Sequence, residues 1–152
     1  MELSEQLVDT WQIHNRINLF LLENIPEEAL AAAPTPKGRN IVFQLAHMHN
    51  VRIDWMQKAA AHLTKFSLKG DPPNKTQLQE ALQASGEAIA AFLRNGLDKG
   101  RISGFKPHPA AFLGYLISHE SYHRGEIGLI LGQAGYKLNN SVAYGMWEWG
   151  ER

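Results

Sequence analysis

Apolar residues recur at three- and four-residue steps along four long stretches of the chain, a spacing that predicts amphipathic α-helices. These stretches cover about residues 2–24, 39–62, 76–100 and 109–134. No stretch has the strict alternation of apolar and polar residues that is typical of a half-buried strand. The pattern therefore predicts an all-α protein.

Helix-terminating residues separate the four stretches. Prolines and glycines interrupt the chain after the first two stretches, and Gly96 and Gly100 close the third. Thr76 with Gln79 three residues later fits a capping box, which predicts that the third helix begins there. Pro109 suits the first turn of the fourth helix, and Gly135 suits a cap at its C-terminal end.

Four helices of this length with broad apolar faces are typical of a four-helix bundle. The chain shows no internal repeat or low-complexity segment, so we expect residues 1–152 to form a single domain. The connection between helices 2 and 3 is long enough for a crossover along the bundle but does not demand one. The aromatic C-terminal tail, residues 136–152, is expected to fold over the bundle or over a second subunit.

Composition narrows the range of functions. The chain has 15 basic and 15 acidic residues, and this balance argues against a generic affinity for nucleic acid or for an anionic membrane. No apolar run is long enough to span a bilayer, and the N-terminal residues lack the features of a secretory signal, so a cytoplasmic location is expected. The chain contains no cysteine, which leaves His, Asp and Glu as the side chains able to bind a metal.

The residues with the clearest chemistry lie on the fourth predicted helix. His119 and His123 are four apart, so their side chains lie on one face, one turn from each other, and can bind a transition metal from one side. Glu126 returns to nearly the same face. Two polar residues on a solvated helix face are the alternative, but the apolar neighbours on that side favour burial. A buried imidazole pair needs a partner, and a metal ion suits both rings.

A third ligand has to come from another helix. His47 on the second helix can meet the pair inside the bundle, whereas His49 lies 200° around that helix and is expected to face solvent or a loop. His14 on the first helix is the competing candidate, although a core or interface histidine is the simpler interpretation of it. Two histidines near helix ends, His62 and His108, are interpreted as surface residues or caps.

Four further side chains lie near these histidines on the predicted helices. Asp54 and Glu120 could act next to the metal, but a solvated or salt-bridged carboxylate is the simpler interpretation of each. Tyr122 and Arg124 flank the histidine pair and point off its face, so structural roles are expected for both.

Two segments together resemble the DinB/YfiT-like superfamily. They are Gln-Leu-Ala-His-Met-His-Asn-Val-Arg at 44–52 and His-Glu-Ser-Tyr-His-Arg-Gly-Glu-Ile-Gly-Leu-Ile-Leu-Gly-Gln-Ala-Gly at 119–135. The resemblance covers nearly the whole chain. It implies a four-helix bundle with a long crossover between helices 2 and 3, a homodimer, and a divalent metal held by His47, His119 and His123. The family motif commonly has Gln where this chain has Glu126, and a carboxylate there could ligate the metal or orient a water.

Three neutral imidazoles leave a divalent ion with open coordination positions, at which a water or a thiol can be activated. Imidazole suits several transition metals, and Zn²⁺ or Ni²⁺ is the favoured cofactor. The resemblance implies a metal-dependent enzyme, either a thiol-dependent S-transferase or isomerase or a hydrolase. Glu126, the acidic side chain on nearly the same helix face as the two histidines, is the candidate catalytic residue. The alternative is a non-catalytic metal-binding bundle that binds a small molecule or acts as a scaffold.

Overall fold

The computed structural model describes residues 1–56 and 71–152, and the helices in these ranges form a bundle. The long helices are α1 (Leu3–Glu23), α2 (Ile41–Met56), α3 (Lys75–Lys99) and α4 (Pro109–Gln133). A short 3₁₀ helix (Glu27–Ala29) lies between α1 and α2, and a short helix α5 (Asn140–Gly145) follows α4. The described ranges contain no strand beyond an isolated bridge between Ile102 and Phe105, which confirms the all-α prediction.

Two clusters of buried apolar residues show the direction of each helix. One cluster joins the end of α1, the start of α2, the start of α3 and the end of α4, and it contains Leu22, Leu45, Leu82 and Leu131. The other joins the opposite ends of the same helices, with Trp11, Met56, Leu93 and Phe112 among its members. Consequently α1 and α4 run in one direction, and α2 and α3 run in the other.

The parallel course of α2 and α3 fits the predicted crossover, because α2 ends and α3 begins at opposite ends of the bundle. Most of that connection, residues 57–70, lies outside the described residues, and so does the predicted extension of helix 2 to His62. The helices α1 and α2 each pack against α3 and α4. The groove between α2 and α4 is where the predicted metal-binding histidines lie.

The start of α3 differs from the sequence-based prediction. Asn74 caps this helix, accepting a hydrogen bond at its Oδ1 from the Gln77 backbone N–H at 2.9 Å, while the Gln77 side chain accepts one from the Asn74 backbone N–H. The predicted box of Thr76 with Gln79 is therefore wrong. Asn is as strong an N-cap as Thr, and it offers the same three-residue spacing two positions earlier.

The glycines of α4 also have surroundings that the sequence did not indicate. Among the described residues, no atom lies within 4 Å of a Cβ built at Gly125, Gly128 or Gly132. Glycines within a helix usually mark a close approach of another element, and here that approach occurs at Gly86 on α3, where an added Cβ would clash with the Asn15 side chain. The outer face of α4 is therefore open.

The C-terminal segment folds back over the end of the bundle, which is one of the two arrangements expected for the aromatic tail. The Arg152 guanidinium lies 3.8 Å from the centre of the Phe20 ring on α1, and its Nε donates to the Gly145 carbonyl at 3.1 Å. Trp147, in contrast, is 78% exposed. The segment thus covers part of α1 while presenting an indole to solvent.

Candidate metal centre

Three histidine rings meet across the groove between α2 and α4. The Nε2 atom of His119 lies 3.3 Å from Nε2 of His47 and 3.2 Å from Nε2 of His123. His119 and His123 are one turn apart on α4, and His47 reaches them from α2. These three residues form a group that could hold a metal ion, with one ligand atom of each within 4.8 Å of the others.

The distances between these nitrogens suit a shared cation. Imidazole nitrogens bind zinc at about 2.0–2.1 Å, so two nitrogens of a tetrahedral site lie about 3.3–3.4 Å apart. The separations of 3.2 and 3.3 Å fall at this spacing. Within the described residues, His119 Nδ1 is buried without a hydrogen-bond partner. Each neutral ring carries only one proton, so hydrogen bonds among the three rings cannot pair all of their nitrogens. A cation would be attracted by all three lone pairs at once.

Electrostatics keeps the three rings in the form that binds metals. Burial lowers the pKa of His47 and of His119, and the neighbouring His119 lowers that of His47 further. Burial, followed by repulsion from the other two rings, lowers the pKa of His123 to about 4. All three imidazoles are therefore neutral at pH 7, with lone pairs available to a metal.

Two polar side chains lie on the far side of the His123 ring. The Nδ1–H of His123 donates to Oε1 of Gln44, a residue of α2 that is only 3% exposed. An oxygen of Glu126 lies 3.6 Å from the same Nδ1, and the other oxygen accepts a hydrogen bond from the Tyr122 hydroxyl at 3.0 Å. Glu126 is thus beside the Nδ1 edge of His123 and is not among the three-histidine group. Its proposed catalytic role stays a prediction.

The group is accessible from solvent through a rim of aromatic residues. His47 and His119 are partly exposed, and Phe43 and Tyr115 stack on their rings at interplanar angles of 11° and 12°. A cavity of about 350 Å³ lies along the same groove and is lined by Val51, Asp54, Trp55 and Tyr115. A small molecule with a flat apolar part could therefore enter beside the histidines.

A buried ion pair lies directly behind the histidines. The Arg52 guanidinium of α2 donates to both oxygens of Glu120 on α4, at 2.7 and 2.8 Å, and both side chains are fully buried. It also donates to the Leu82 carbonyl and to the Ser85 hydroxyl on α3. Burial by itself raises the pKa of Glu120, but the charge and hydrogen bonds of Arg52 outweigh this effect and hold the pKa at about 2.

Helix α1 completes this buried network. The Nε2 of His14 and the amide of Asn18 approach the same Glu120 oxygen at 3.0 and 2.7 Å, and Arg124 donates to Asn18 Oδ1 at 2.7 Å. The Trp11 ring packs against this network, with its centre 4.9 Å from the Arg52 guanidinium carbon. One carboxylate thus connects side chains of α1 and α2, and through Arg52 it reaches α3.

A solvated or a salt-bridged carboxylate was the simpler interpretation of Glu120 from the sequence, and the structure shows a salt bridge to Arg52, a partner that sequence reasoning missed. Arg52 follows Leu45 and Met48 at three- and four-residue steps on the apolar stripe of α2, and Glu120 follows Leu116 on that of α4. Charged residues at core positions of two different helices are the signal that could have revealed the pair.

Three further histidines lie in the described ranges, namely His14, His49 and His108. His14 is buried and bound to Glu120, which confirms the interpretation of it as a core residue. His108 caps α4, with its Nδ1 accepting from the Ala111 backbone N–H, as one of the two expectations had it. The expectation that His49 faces solvent or a loop is wrong, because this residue is fully buried. Since His47 occupies the groove edge of α2, the opposite side of that helix turns into the core.

Fold and site together define a class: a four-helix bundle with three histidines from two helices grouped so that they could bind a metal ion. The family model described as the DinB family matches residues 1–149. The chain therefore belongs to the DinB family, which confirms the resemblance seen in its sequence motifs. A comparison with curated proteins found no match. In the described ranges, no helix is long and apolar enough to cross a membrane.

Proposed function

We propose that this protein is a metal-dependent enzyme in which His47, His119 and His123 bind a divalent ion through their Nε2 atoms, with Zn²⁺ or Ni²⁺ as the metal. The spacing of the three Nε2 atoms carries the proposal. Three protein ligands at a partly exposed position are typical of a site with room for a water or a substrate, whereas structural zinc sites are closed by four protein ligands.

A bound ion would supply Lewis acidity, which lowers the pKa of a coordinated thiol or water. The substrate we propose is a low-molecular-weight thiol that reacts with a small electrophile, with hydrolysis as a variant. Phe43 and Tyr115 would hold a flat apolar part of the substrate beside the histidines. Glu126, which lies beside the Nδ1 edge of His123, is the candidate catalytic residue, and the hydroxyl of Tyr122 positions its carboxylate.

Metal analysis of the purified protein tests the binding site. We expect about one divalent ion per chain, and we expect His119→Ala to weaken binding by more than about 100-fold, because loss of an outer-shell partner alone costs about 10- to 100-fold. His108→Asn is the matched control, since Asn preserves the cap of α4 and leaves the groove intact. Equal metal content in wild type and His119→Ala would contradict the proposal.

Chelation and turnover separate an enzyme from a scaffold. An ion that binds only the folded chain should raise the melting temperature whether or not it is catalytic, so chelation tests binding and turnover tests catalysis. Turnover with a panel of thiols and electrophiles, before and after removal of the metal, then measures catalysis directly. A large loss of stability on chelation, together with no turnover by the loaded protein, would support the non-catalytic alternative.

We also propose that the protein forms a homodimer through the open face of α4 and the neighbouring tail. Leu129 on this face is 62% exposed and Trp147 is 78% exposed, an exposure of large apolar side chains that is typical of interaction surfaces. We expect light scattering to give twice the 17.0 kDa chain mass for the wild type and the monomer mass for Leu129→Glu. Leu3→Glu, at the equally exposed start of α1, is the control. A monomeric wild type would refute the dimer.

A further inference from the structure

Gln44 stands out among the residues around the histidines because it is buried, uncharged and hydrogen-bonded to His123. It lies on α2 three residues before His47, so both side chains project from the same side of that helix. Its Oε1 accepts a hydrogen bond from Nδ1 of His123 on α4. One turn of α2 therefore provides one proposed ligand, His47, and the hydrogen-bond partner of a second proposed ligand, His123.

The chemistry of this contact fixes where the proton of His123 resides. An amide oxygen carries no hydrogen, so Nδ1 of His123 must be the donor. A neutral imidazole has a single N–H, which leaves Nε2 with a bare lone pair. This Nε2 is the atom that lies 3.2 Å from Nε2 of His119, on the side where the three rings meet. The hydrogen bond thus selects the tautomer that can bind a cation.

Glu126 does not replace Gln44 in this role. Its nearer oxygen lies 3.6 Å from Nδ1 of His123, beyond hydrogen-bonding distance, and its side chain is 38% exposed. Gln44, in contrast, is 3% exposed and lies within hydrogen-bonding distance of this Nδ1. The amide is therefore the acceptor that holds the ring in place.

We propose that Gln44 is a positioning residue that keeps His123 in the Nδ1–H tautomer and orients its Nε2 lone pair toward the metal. This inference rests on the proposed function, because it assigns to Gln44 the task of preparing one ligand of that site. Outer-shell acceptors of this kind fix the orientation of a ligating histidine and raise its basicity.

The test combines a measurement on the full-length protein without added metal with one on its affinity for Zn²⁺. Nitrogen-15 NMR of the histidine rings should show His123 as the Nδ1–H tautomer in wild type and a mixture of tautomers in Gln44→Leu. Competition with a chromophoric chelator should show that Gln44→Leu binds Zn²⁺ about 10- to 100-fold more weakly. Gln44→Glu, which keeps an acceptor oxygen at the same position, should restore both the tautomer and the affinity.

The two readouts keep this inference separate from the metal site itself. A wild type that shows the Nδ1–H tautomer but binds no Zn²⁺ would refute the proposed function while supporting the assignment of Gln44. A wild type with the Nε2–H tautomer would overturn that assignment, and so would a Gln44→Leu variant with unchanged tautomer and affinity. If Gln44→Leu fails to fold, the wild-type spectrum and the Gln44→Glu affinity still decide the matter.

Discussion

Replacing Glu120 by alanine is expected to lower the free energy of unfolding by about 3–5 kcal/mol, which is a large part of the stability of a domain of this size. The reason is that Arg52 would stay fully buried with its charge uncompensated, since its guanidinium gives two of its hydrogen bonds to this one carboxylate. The amide of Asn18 would lose its acceptor as well. Urea unfolding followed by circular dichroism measures the loss.

The double variant Arg52→Met with Glu120→Leu is the control for this prediction. It removes both charges and fills the space with apolar side chains, so it should be clearly more stable than Glu120→Ala. Met48→Leu, a volume-conserving change at a buried position on the same helix, should cost less than about 1.5 kcal/mol. A Glu120→Ala variant as stable as wild type would show that the ion pair is unimportant for folding.

Acidification of the metal-free protein is expected to destabilise it in two stages. His14 and the three grouped histidines all have lowered pKa values in the folded state, so below about pH 6.5 the unfolded chain binds more protons than the folded one. As the pH falls, each such histidine lowers the free energy of unfolding further until its folded-state pKa, about 4 for His123, is reached, and solvent screening reduces the effect of the partly exposed rings. Glu120 extends the loss from about pH 4.5 toward its folded-state pKa of about 2.

Urea unfolding at a series of pH values in the presence of chelator measures this effect. His14→Gln is the matched variant, because a Gln amide can still donate to Glu120 but does not titrate. Its stability should fall less steeply than that of wild type between pH 6.5 and pH 5, while the two proteins should share the same slope above pH 7.5. Parallel curves through the acidic range would contradict the role assigned to burial at His14.

The helices could be predicted from the chain because their signals are local. The three- and four-residue spacing of apolar residues located four helices, and Pro109 and Gly135 marked the beginning and the end of α4 correctly. The prediction failed at Asn74, because two possible cap motifs lie two residues apart and the helix uses the earlier one. It also failed for His49, because α2 has two sides in contact with the protein. His47 lies at the groove, and His49, on the opposite side, is buried in the core.

The candidate site was only partly predictable. Helical spacing alone placed His119 and His123 together, whereas His47 became the third member through the choice of facing helix and the family motif. Gln44 is the first residue of the motif at 44–52, but nothing in the sequence indicated its role, since its partner lies 79 residues away and an amide has no distinctive pattern. Such a residue becomes visible only when the two helices are in contact.

By itself, the sequence determined the all-α class, the approximate helix ends, the neutral charge balance and a histidine pair at ligand spacing, because these follow from chain-local periodicity and composition. The tertiary structure decided which side of each helix is buried and which histidine completes the group. It also decided that Arg52 and Glu120 share an ion pair. These features depend on the relative placement of helices distant in sequence, and that placement results from the packing of all four apolar faces at once.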